Sequence, residues 1–242
     1  EADGEWWRRF EAELEADLGA WPPAELAARG EGERQLVRAA GSAAAVVAEL
    51  ASSGESVLAL VAAAPRRATL ARPGLEAVEY TALDGEPELV TGFEHVVLVD
   101  PPAFAHLERL AARPTAGGGY LHPAWGEGEW RFALATLARR LARRAVLIAA
   151  FRDLREAGEA SGERLLEALR GGGSRPRGPE AAARCFRVLE ELGLVRGRPR
   201  GGDGAVGVVS SEGTDLERSA AFRAYGARYE EGRRYLERRR HP

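Results

Sequence analysis

Residues 95–102 have the sequence HVVLVDPP, and this stretch decides the fold that we predict. It begins with a largely apolar run, 95–99, that does not alternate with polar residues and that ends at Asp100 and two prolines. A continuous apolar run is typical of a strand covered on both faces, as in a parallel sheet between helices. A second such run, VLALV at 57–61, follows Gly54. Two buried strands of this kind indicate an α/β fold.

Strand and helix patterns alternate around these two runs, from about residue 31 to residue 126. Weaker strand patterns lie at 35–38, 76–80 and 119–124. Ser42 is a candidate N-cap for the next helix, because its hydroxyl can accept a hydrogen bond from a free backbone N–H. Further helices are predicted from Pro65, over 87–93 and over 103–113. Residues 31–126 are therefore predicted to form an α/β domain with a parallel, Rossmann-like sheet.

The first 30 residues predict one amphipathic helix and a linker. Apolar side chains recur at helical spacing over 6–18, at Trp7, Phe10, Leu14 and Leu18. Pro22 and Pro23 then end the helix, because proline lacks a backbone N–H and restricts the residue before it.

Residues 127–242 form a third predicted domain, which is basic and mostly helical. An apolar stripe at helical spacing is predicted for Trp130, Leu134, Leu137, Leu141 and Ile148. Two helices are followed by two short strands and a last helix, at 163–169, 179–192, 194–196, 205–209 and about 215–239. Helix, turn, helix and a two-stranded hairpin is the order of a winged helix. The predicted fold is thus an α/β layer followed by a helical winged-helix region.

Composition narrows the class of protein. Hydrophobic residues make up 45% and charged residues 29% of the 242 residues, the ordinary globular mixture. No apolar run reaches the roughly 18 residues of a membrane span. The single cysteine, Cys185, cannot form an internal disulfide. We therefore predict a cytoplasmic protein without membrane contact, and the absence of methionine leads us to expect a fragment of a longer chain.

The net charge of −3 hides an asymmetry between the two parts of the chain. Residues 1–130 carry 10 arginines against 22 acidic residues, and residues 131–242 carry 24 against 15. The resulting charges, −12 and +9, indicate an anionic partner for the second part. The alternative is a solvated surface of arginine and glutamate produced by codon bias. Because all 34 basic residues are arginine, a phosphate-binding loop of the Walker type and a Schiff-base lysine are both excluded.

No catalytic, metal or cofactor site is predicted on this segment. The motif GDGAVG at 202–207 matches the glycine spacing of dinucleotide-binding loops, but a strand follows it, so it indicates a hairpin turn. The four histidines are scattered along the chain. Asp100 follows the central strand, where α/β proteins can hold Mg²⁺. Without a phosphate-binding loop, we expect Asp100 to cap the following helix instead.

Seven arginines of the winged-helix region are the candidate nucleic-acid-binding residues. They are Arg175, Arg177, Arg184, Arg187, Arg196, Arg198 and Arg200. The last three alternate along one strand and can project from a single face, and the others lie on or just before the preceding helix. Guanidinium groups match the geometry of phosphates. Winged helices also dock on proteins, so nucleic acid and a protein partner both remain open.

The order of several segments resembles the C-terminal region of bacterial RecJ proteins. The segments are SGESVLALV at 53–61, PRR at 65–67, HVVLVDPP at 95–102, LHPAWGE at 121–127, RVLEELGLV at 187–195 and DLERSAAFR at 215–223. The resemblance spans most of residues 30–238.

This resemblance implies an accessory part of an exonuclease that degrades single-stranded DNA from the 5′ end in repair and recombination. The Mn²⁺ or Mg²⁺ of the family belongs to a DHH catalytic core, and this chain contains no D-H-H motif. The core is therefore expected upstream of Glu1. The implied partners are single-stranded or junction DNA and a single-strand-binding protein or a helicase.

Two other classes remain open. The first is a free-standing winged-helix regulator that binds DNA and carries an α/β sensor domain, and the second is a remnant of a helicase-like ATPase. The codons before Glu1 distinguish the regulator from the RecJ-like interpretation. They should include a start codon if the chain is a regulator, and they should encode a DHH core if the chain is RecJ-like.

Overall fold

The chain folds into two compact units. The computed structural model describes residues 2–22, 33–38, 41–63, 70, 74–172, 176–199 and 203–241. We call Glu1–Gly19 with Ala138–Tyr229 the helical unit, and Ala20–Leu137 with Glu230–Pro242 the sheet unit. The N-terminal segment thus belongs to the same unit as most of the basic part, and the domain limits at 30 and 126 stay a prediction. The helix expected from Pro65 and most of the expected linker lie outside the described residues.

The helices and strands follow the predicted order with three differences. The helices are α1 (Ala2–Glu15), α2 (Ala43–Ser52), α3 (Ala82–Gly85), α4 (Ala105–Ala111), α5 (Glu127–Arg140), α6 (Arg144–Ala157), α7 (Gly162–Arg170), α8 (Pro179–Glu191) and α9 (Ala220–Arg238). The strands are β1 (Gln35–Leu36), β2 (Val57–Val61), β3 (Leu75–Glu79), β4 (His95–Leu98), β5 (Tyr120–Pro123), β6 (Val195–Gly197) and β7 (Val206–Val208). Single-turn 3₁₀ helices lie at Leu89–Gly92 and Leu216–Arg218. Helix α3 was not predicted, the helix predicted over 87–93 is a single 3₁₀ turn, and the helical stretch from 130 to 148 is divided into α5 and α6.

The sheet unit contains five parallel strands in the order β1-β5-β4-β2-β3. Every residue of the neighbouring strands β2 and β4 is buried, because their apolar side chains are covered on both faces of the sheet. The predicted α/β class and parallel sheet are confirmed, and the sheet is consistent with a Rossmann-like layer. Ser42 also caps α2 as predicted, since its Oγ accepts a hydrogen bond from the N–H of Ala45 at 3.3 Å.

Asp100 joins the carboxyl ends of three strands. Its Oδ2 accepts a hydrogen bond from the N–H of Ala62 at 2.8 Å, directly beyond β2. Its backbone carbonyl accepts a hydrogen bond from the hydroxyl of Tyr80 at 2.7 Å, directly beyond β3. The prediction that Asp100 caps the next helix is wrong, because α4 begins after Phe104 and has no side-chain cap. The two prolines after Asp100 favour extended backbone and delay the start of the helix.

The helical unit is built around aromatic and leucine side chains. Trp6, Trp7 and Phe10 of α1 share one core with leucines of α7 and α8. The antiparallel strands β6 and β7 cover an edge of this core. Ala160 forms an isolated antiparallel bridge to Val206 of β7, with hydrogen bonds of 2.9 Å in both directions.

The predicted apolar stripe from Trp130 to Ile148 is not continuous. Helix α5 ends at Arg140, and Ala142 has a positive φ of 48°, so the chain turns before α6 begins at Arg144. This break changes the phase of the helical pattern. Leu147 faces the core of the unit, while Ile148 is 58% exposed. The placement of Ile148 in the buried stripe was therefore wrong.

Candidate nucleic-acid interface

The hairpin of β6 and β7 carries two candidate arginines with exposed side chains. Val195 and Val206 are buried in the core of the helical unit. Arg196 and Arg198 are exposed, as expected for residues that alternate with buried ones along a strand. Neither guanidinium forms an ion pair with another residue in the described ranges. Arg200, the third member of the predicted series, lies outside these ranges.

Gly197 shapes the hairpin between the two exposed arginines. Its φ of 129° lies in a region that favours glycine, and a Cβ at this position would overlap the carbonyl oxygen of Ala205 on the opposite side. The close approach of the two strands at this point therefore requires glycine. Strand β6 ends at this glycine, so Arg196 lies on the strand and Arg198 lies directly after it, whereas the sequence predicts that both lie on one strand.

Arg177 holds the end of a helix. It donates hydrogen bonds to the carbonyls of Ala168 and Leu169, both at 2.8 Å, in the last turn of α7. Its Nη2 also forms an ion pair with Asp153 at 2.7 Å. The side chain is only 11% exposed. Its hydrogen-bonding capacity is thus used within the helical unit, and Arg175, its predicted neighbour, lies outside the described residues.

Arg184 forms a buried pair with the N-terminal helix. Its Nε and Nη2 donate to the two carboxylate oxygens of Glu13 at 2.8 and 2.9 Å, and its Nη1 donates to the carbonyl of Arg140 at 2.9 Å. Both side chains are 15% exposed. Burial alone lowers the pKa of Arg184, but the charge and hydrogen bonds of Glu13 outweigh it, so the pKa is raised. This guanidinium already has a bidentate anionic partner.

Arg187 binds the C-terminal end of α1. Its Nη1 donates to the carbonyl of Ala16 at 2.7 Å, and its Nε lies 3.6 Å from the carboxylate of Glu191. A guanidinium at this position satisfies carbonyls that a helix end leaves without partners. Arg184 and Arg187, one helical turn apart on α8, therefore both lie on a face that contacts α1.

Helix α1 covers α8 along most of its length. Phe10 is fully buried and lies edge-on to Phe186 of α8, with ring centroids 6.2 Å apart. Near the start of α8, Arg9 forms an ion pair with Glu180 at 2.8 Å. Within α8, only Glu190 and Glu191 at its C-terminal end are exposed. The amphipathic pattern of α1 predicts a buried face, but no pattern in the sequence indicates that α8 is what it packs on.

The same packing reduces the charge asymmetry seen in the sequence. Residues 1–19 carry two arginines against seven acidic residues, and 138–229 carry 18 arginines against 12 acidic residues. The helical unit as a whole therefore has a formal charge of +1. The acidic residues of 1–19 thus neutralise part of the positive charge from which we predicted an anionic partner.

A histidine pair lies in the sheet unit and was not predicted. His95 of β4 and His122 of β5 are buried, and His95 Nδ1 lies 2.9 Å from His122 Nε2. His95 Nε2 is 2.6 Å from a carboxylate oxygen of Glu55. Burial, and then the neighbouring His95, lower the pKa of His122 to about 4. The parallel pairing of β4 with β5 brings the two rings together, and the spacing in the sequence alone contains no sign of it.

This pKa predicts a specific acid sensitivity. The ordinary pKa of histidine is about 6.5, so the unfolded chain binds more protons than the folded chain between pH 6.5 and 4. The stability from neutral His122 is thus fully present above pH 6.5 and falls by about 3 kcal/mol as the pH falls to 4. Urea unfolding across this range should show the loss, and His122→Gln should reduce its pH dependence. The exposed His241→Gln control should retain it, and an equal slope in both variants would contradict the assignment.

No metal site accompanies these residues. In the part of the chain that the structure describes, no group of three or more histidine, cysteine, aspartate or glutamate side chains could hold a metal ion. His95 lies between Glu55 and His122 rather than beside a shared position, so the three do not converge. Cys185 is buried, and burial raises the pKa of its thiol to about 12, which makes it unreactive.

Comparisons with known proteins return no match. No protein-family model matches the chain, and no curated protein or solved structure matches it either. The resemblance to RecJ thus rests on the sequence segments alone and stays a prediction. In the described ranges, no helix combines the length and the apolar character that crossing a membrane requires.

Proposed function

We propose that this chain is the accessory, nucleic-acid-engaging part of a RecJ-like exonuclease that degrades single-stranded DNA in repair and recombination. In this proposal the β6–β7 hairpin contacts the phosphates of the strand through Arg196 and Arg198. The resemblance to RecJ implies that the metal-dependent chemistry belongs to a DHH core, which carries the catalytic residues of that family. A cytoplasmic location follows from access to chromosomal DNA.

The order of elements in the helical unit supports a winged helix as its fold. Helix α6 is followed by the bridge at Ala160, then by α7, α8 and the β6–β7 hairpin. The single bridge from Ala160 to Val206 lies beside the two-stranded hairpin, and it ties the segment between α6 and α7 to β7. In the proposed winged helix, α8 would be the recognition helix and the β6–β7 hairpin would be the wing.

The observation that carries the proposal is the contrast between the arginines of α8 and those of the hairpin. Arg184 and Arg187 are bound to α1, whereas Arg196 and Arg198 are exposed. A phosphate that approached α8 would have to replace a buried bidentate carboxylate, and it would leave Glu13 as an unpaired buried charge. A phosphate that approached the hairpin would displace only water.

The covered position of α8 also favours backbone contacts over base recognition. A winged helix identifies a sequence by placing its recognition helix in the major groove, and α1 occupies the outer face of α8. Exposed arginines on a strand can instead follow a phosphate backbone of any sequence. This argument supports an accessory part of a nuclease over a free-standing regulator, which must select its operator.

The proposal predicts the effect of removing the two exposed arginines. The variant Arg196→Ala/Arg198→Ala should bind a fluorescent oligothymidylate of about 20 nucleotides more weakly than the parent chain. Because each phosphate contact on a single strand contributes about 0.7 to the logarithmic salt dependence, the slope should fall by up to about 1.4. Fluorescence anisotropy between about 50 and 200 mM salt measures both quantities.

A control variant distinguishes local contact from a general loss of charge. Arg38 and Arg109 belong to the sheet unit, are exposed, and have no ion-pair partner among the residues that the structure describes. Arg38→Ala/Arg109→Ala removes the same charge and should keep the parent slope. Equal slopes for the parent and the hairpin variant, with an intact circular dichroism spectrum, would exclude the hairpin from the binding site.

A further inference from the structure

One side of a helix in the helical unit is exposed along two turns and has the composition of a helix-docking surface. It lies on α6, where Ala145, Ile148 and Arg152 recur at three- and four-residue intervals and are all exposed. Ala149 beside them is partly buried. The opposite side of α6, at Leu147, Ala150 and Leu154, packs into the unit. We call the outward side the α6 face.

The α6 face combines an apolar centre with a charged margin. Ile148 is 58% exposed and is flanked by two alanines, whose small side chains would allow another backbone to approach closely. Arg144 and Arg155 border it on one side, and both are exposed with no ion pair to any described residue. A single exposed isoleucine is ordinary on a protein surface. An exposed isoleucine that lies between small residues, and beside guanidiniums with no ion pair to a described residue, is a stronger indication of a binding surface.

The charges around the α6 face determine the kind of partner that it fits. Asp153 belongs to the same helix but pairs with Arg177 on another side. Arg152 lies 4.0 Å from Asp153 and is 60% exposed, so most of its guanidinium faces water. Glu156 is exposed beside Arg152 and Arg155. With three arginines against one free carboxylate, the face has a net positive charge and should attract an acidic surface.

We infer that the α6 face is a docking site for an amphipathic, acidic α-helix of a partner protein. Leucine-like side chains of that helix would cover Ile148 and the alanines, and its carboxylates would pair with Arg144, Arg152 and Arg155. Helix-on-helix recognition uses this spacing of apolar anchors. Single-stranded nucleic acid fits the face less well, because bases stack on aromatic rings and this face has none. The inference goes beyond the proposed function, since it concerns a surface separate from the hairpin.

The test uses the full chain and a synthetic helix as the probe. The probe is a fluorescein-labelled peptide of about 15 residues, four helical turns, with leucines on one face and glutamates on the other. A control peptide has lysine at every position where the probe has glutamate. Fluorescence anisotropy should show binding of the glutamate peptide that weakens with salt, and no binding of the lysine peptide.

Two variants with opposite expectations make the test specific. Ile148→Glu should weaken binding of the glutamate peptide at least tenfold, whereas Leu36→Glu, at a residue with 56% exposure in the sheet unit, should leave it unchanged. Arg152→Glu/Arg155→Glu should lose the glutamate peptide and gain the lysine peptide, because it reverses the charge of the face. All these positions are exposed, so circular dichroism and thermal melting should match the parent chain.

Four results would overturn the inference. They are failure of the parent chain to bind the glutamate peptide, equal binding by Ile148→Glu, loss of a self-associated form in Ile148→Glu by sedimentation, and loss of oligothymidylate binding in that variant. The third would assign the face to a second copy of this chain, and the fourth would assign it to nucleic acid. The hairpin proposal and the α6-face proposal can fail independently, because Arg196→Ala/Arg198→Ala should leave peptide binding unchanged.

Discussion

Replacing Phe10 with alanine should destabilise the helical unit by about 4 kcal/mol, the usual cost of removing a fully buried phenylalanine. Phe10 is 0% exposed and contacts Trp6 and Trp7 of its own helix as well as Phe186 of α8. The substitution leaves a cavity between α1 and α8 that these rings cannot fill. Urea unfolding followed by tryptophan fluorescence measures the change, because Trp6 and Trp7 lie beside the cavity.

The control for Phe10→Ala is Arg8→Ala on the same helix. Arg8 is exposed, and no other described residue contacts its guanidinium through a hydrogen bond or an ion pair. Its substitution should change the free energy of unfolding by less than about 0.5 kcal/mol. A loss below about 1 kcal/mol in Phe10→Ala would show that α1 is a loosely attached helix. It would then remove the argument that α8 is permanently covered.

Replacing Arg34 with methionine should destabilise the sheet unit by a similar amount, about 4 kcal/mol. Arg34 is 5% exposed and donates four hydrogen bonds of 2.6 to 2.8 Å, to the carbonyls of Val90, Phe93, Glu94 and Arg113. Burial lowers the pKa of this guanidinium. Methionine keeps most of the side-chain volume but removes the guanidinium from four carbonyls, of which those of Val90 and Glu94 keep a backbone N–H donor.

The control for Arg34→Met is Arg38→Met, at an exposed position four residues further along the chain. Guanidinium chloride unfolding of the two variants should differ by more than about 3 kcal/mol. Similar stability in both would show that water replaces the guanidinium at the carbonyls without cost. Arg34 would then have no structural role in joining β1 to the segments around Phe93 and Arg113.

Much of the sheet unit could be predicted because its local patterns and its tertiary environment agree. The apolar runs at 57–61 and around Val97 can be satisfied only where both sheet faces are covered, and this is where they lie. The strand order could not be predicted, because local periodicity contains no information on which strands pair. For the same reason the contact between His95 and His122 was missed.

In the helical unit, a correct helical pattern led to a wrong prediction of which residue is buried. The spacing from Leu137 to Ile148 is helical throughout, but a turn at Ala142 shifts the phase and places Ile148 outside. One residue in a left-handed conformation decides this, and alanine gives no sign of it, since glycine or asparagine is the usual residue there. Ile148 on the α6 face was therefore invisible at the level of the sequence.

The candidate site shows the same division between local and tertiary information. Alternation along one predicted strand led us to expect that Arg196 and Arg198 project from a single face. Both are exposed, although β6 ends at Gly197, before Arg198. Arg184 and Arg187 lie on α8, the helix to which the sequence assigned them. What covers that face depends on α1, whose Glu13 is 171 residues from Arg184 in the sequence. Net charge over a segment cannot show which arginines are paired within the fold.

The pairing between α1 and α8 gives the acidic N-terminal segment a clear physical role. Its carboxylates compensate arginines that would otherwise repel one another in the helical unit, and its aromatic side chains complete the core. Positive charge remains exposed on the hairpin and on the α6 face, where other molecules can reach it. This separation of paired from exposed arginine is the basis of both proposals.

The central claim is that nucleic acid contacts the hairpin and not α8. Hydrogen–deuterium exchange of the chain, with and without a saturating oligothymidylate of about 20 nucleotides, tests it directly. Binding should slow exchange of the backbone amides in β6 and β7 and leave the amides of α8 unchanged. Slower exchange confined to α8, or faster exchange in α1 as it leaves α8 on binding, would contradict the claim.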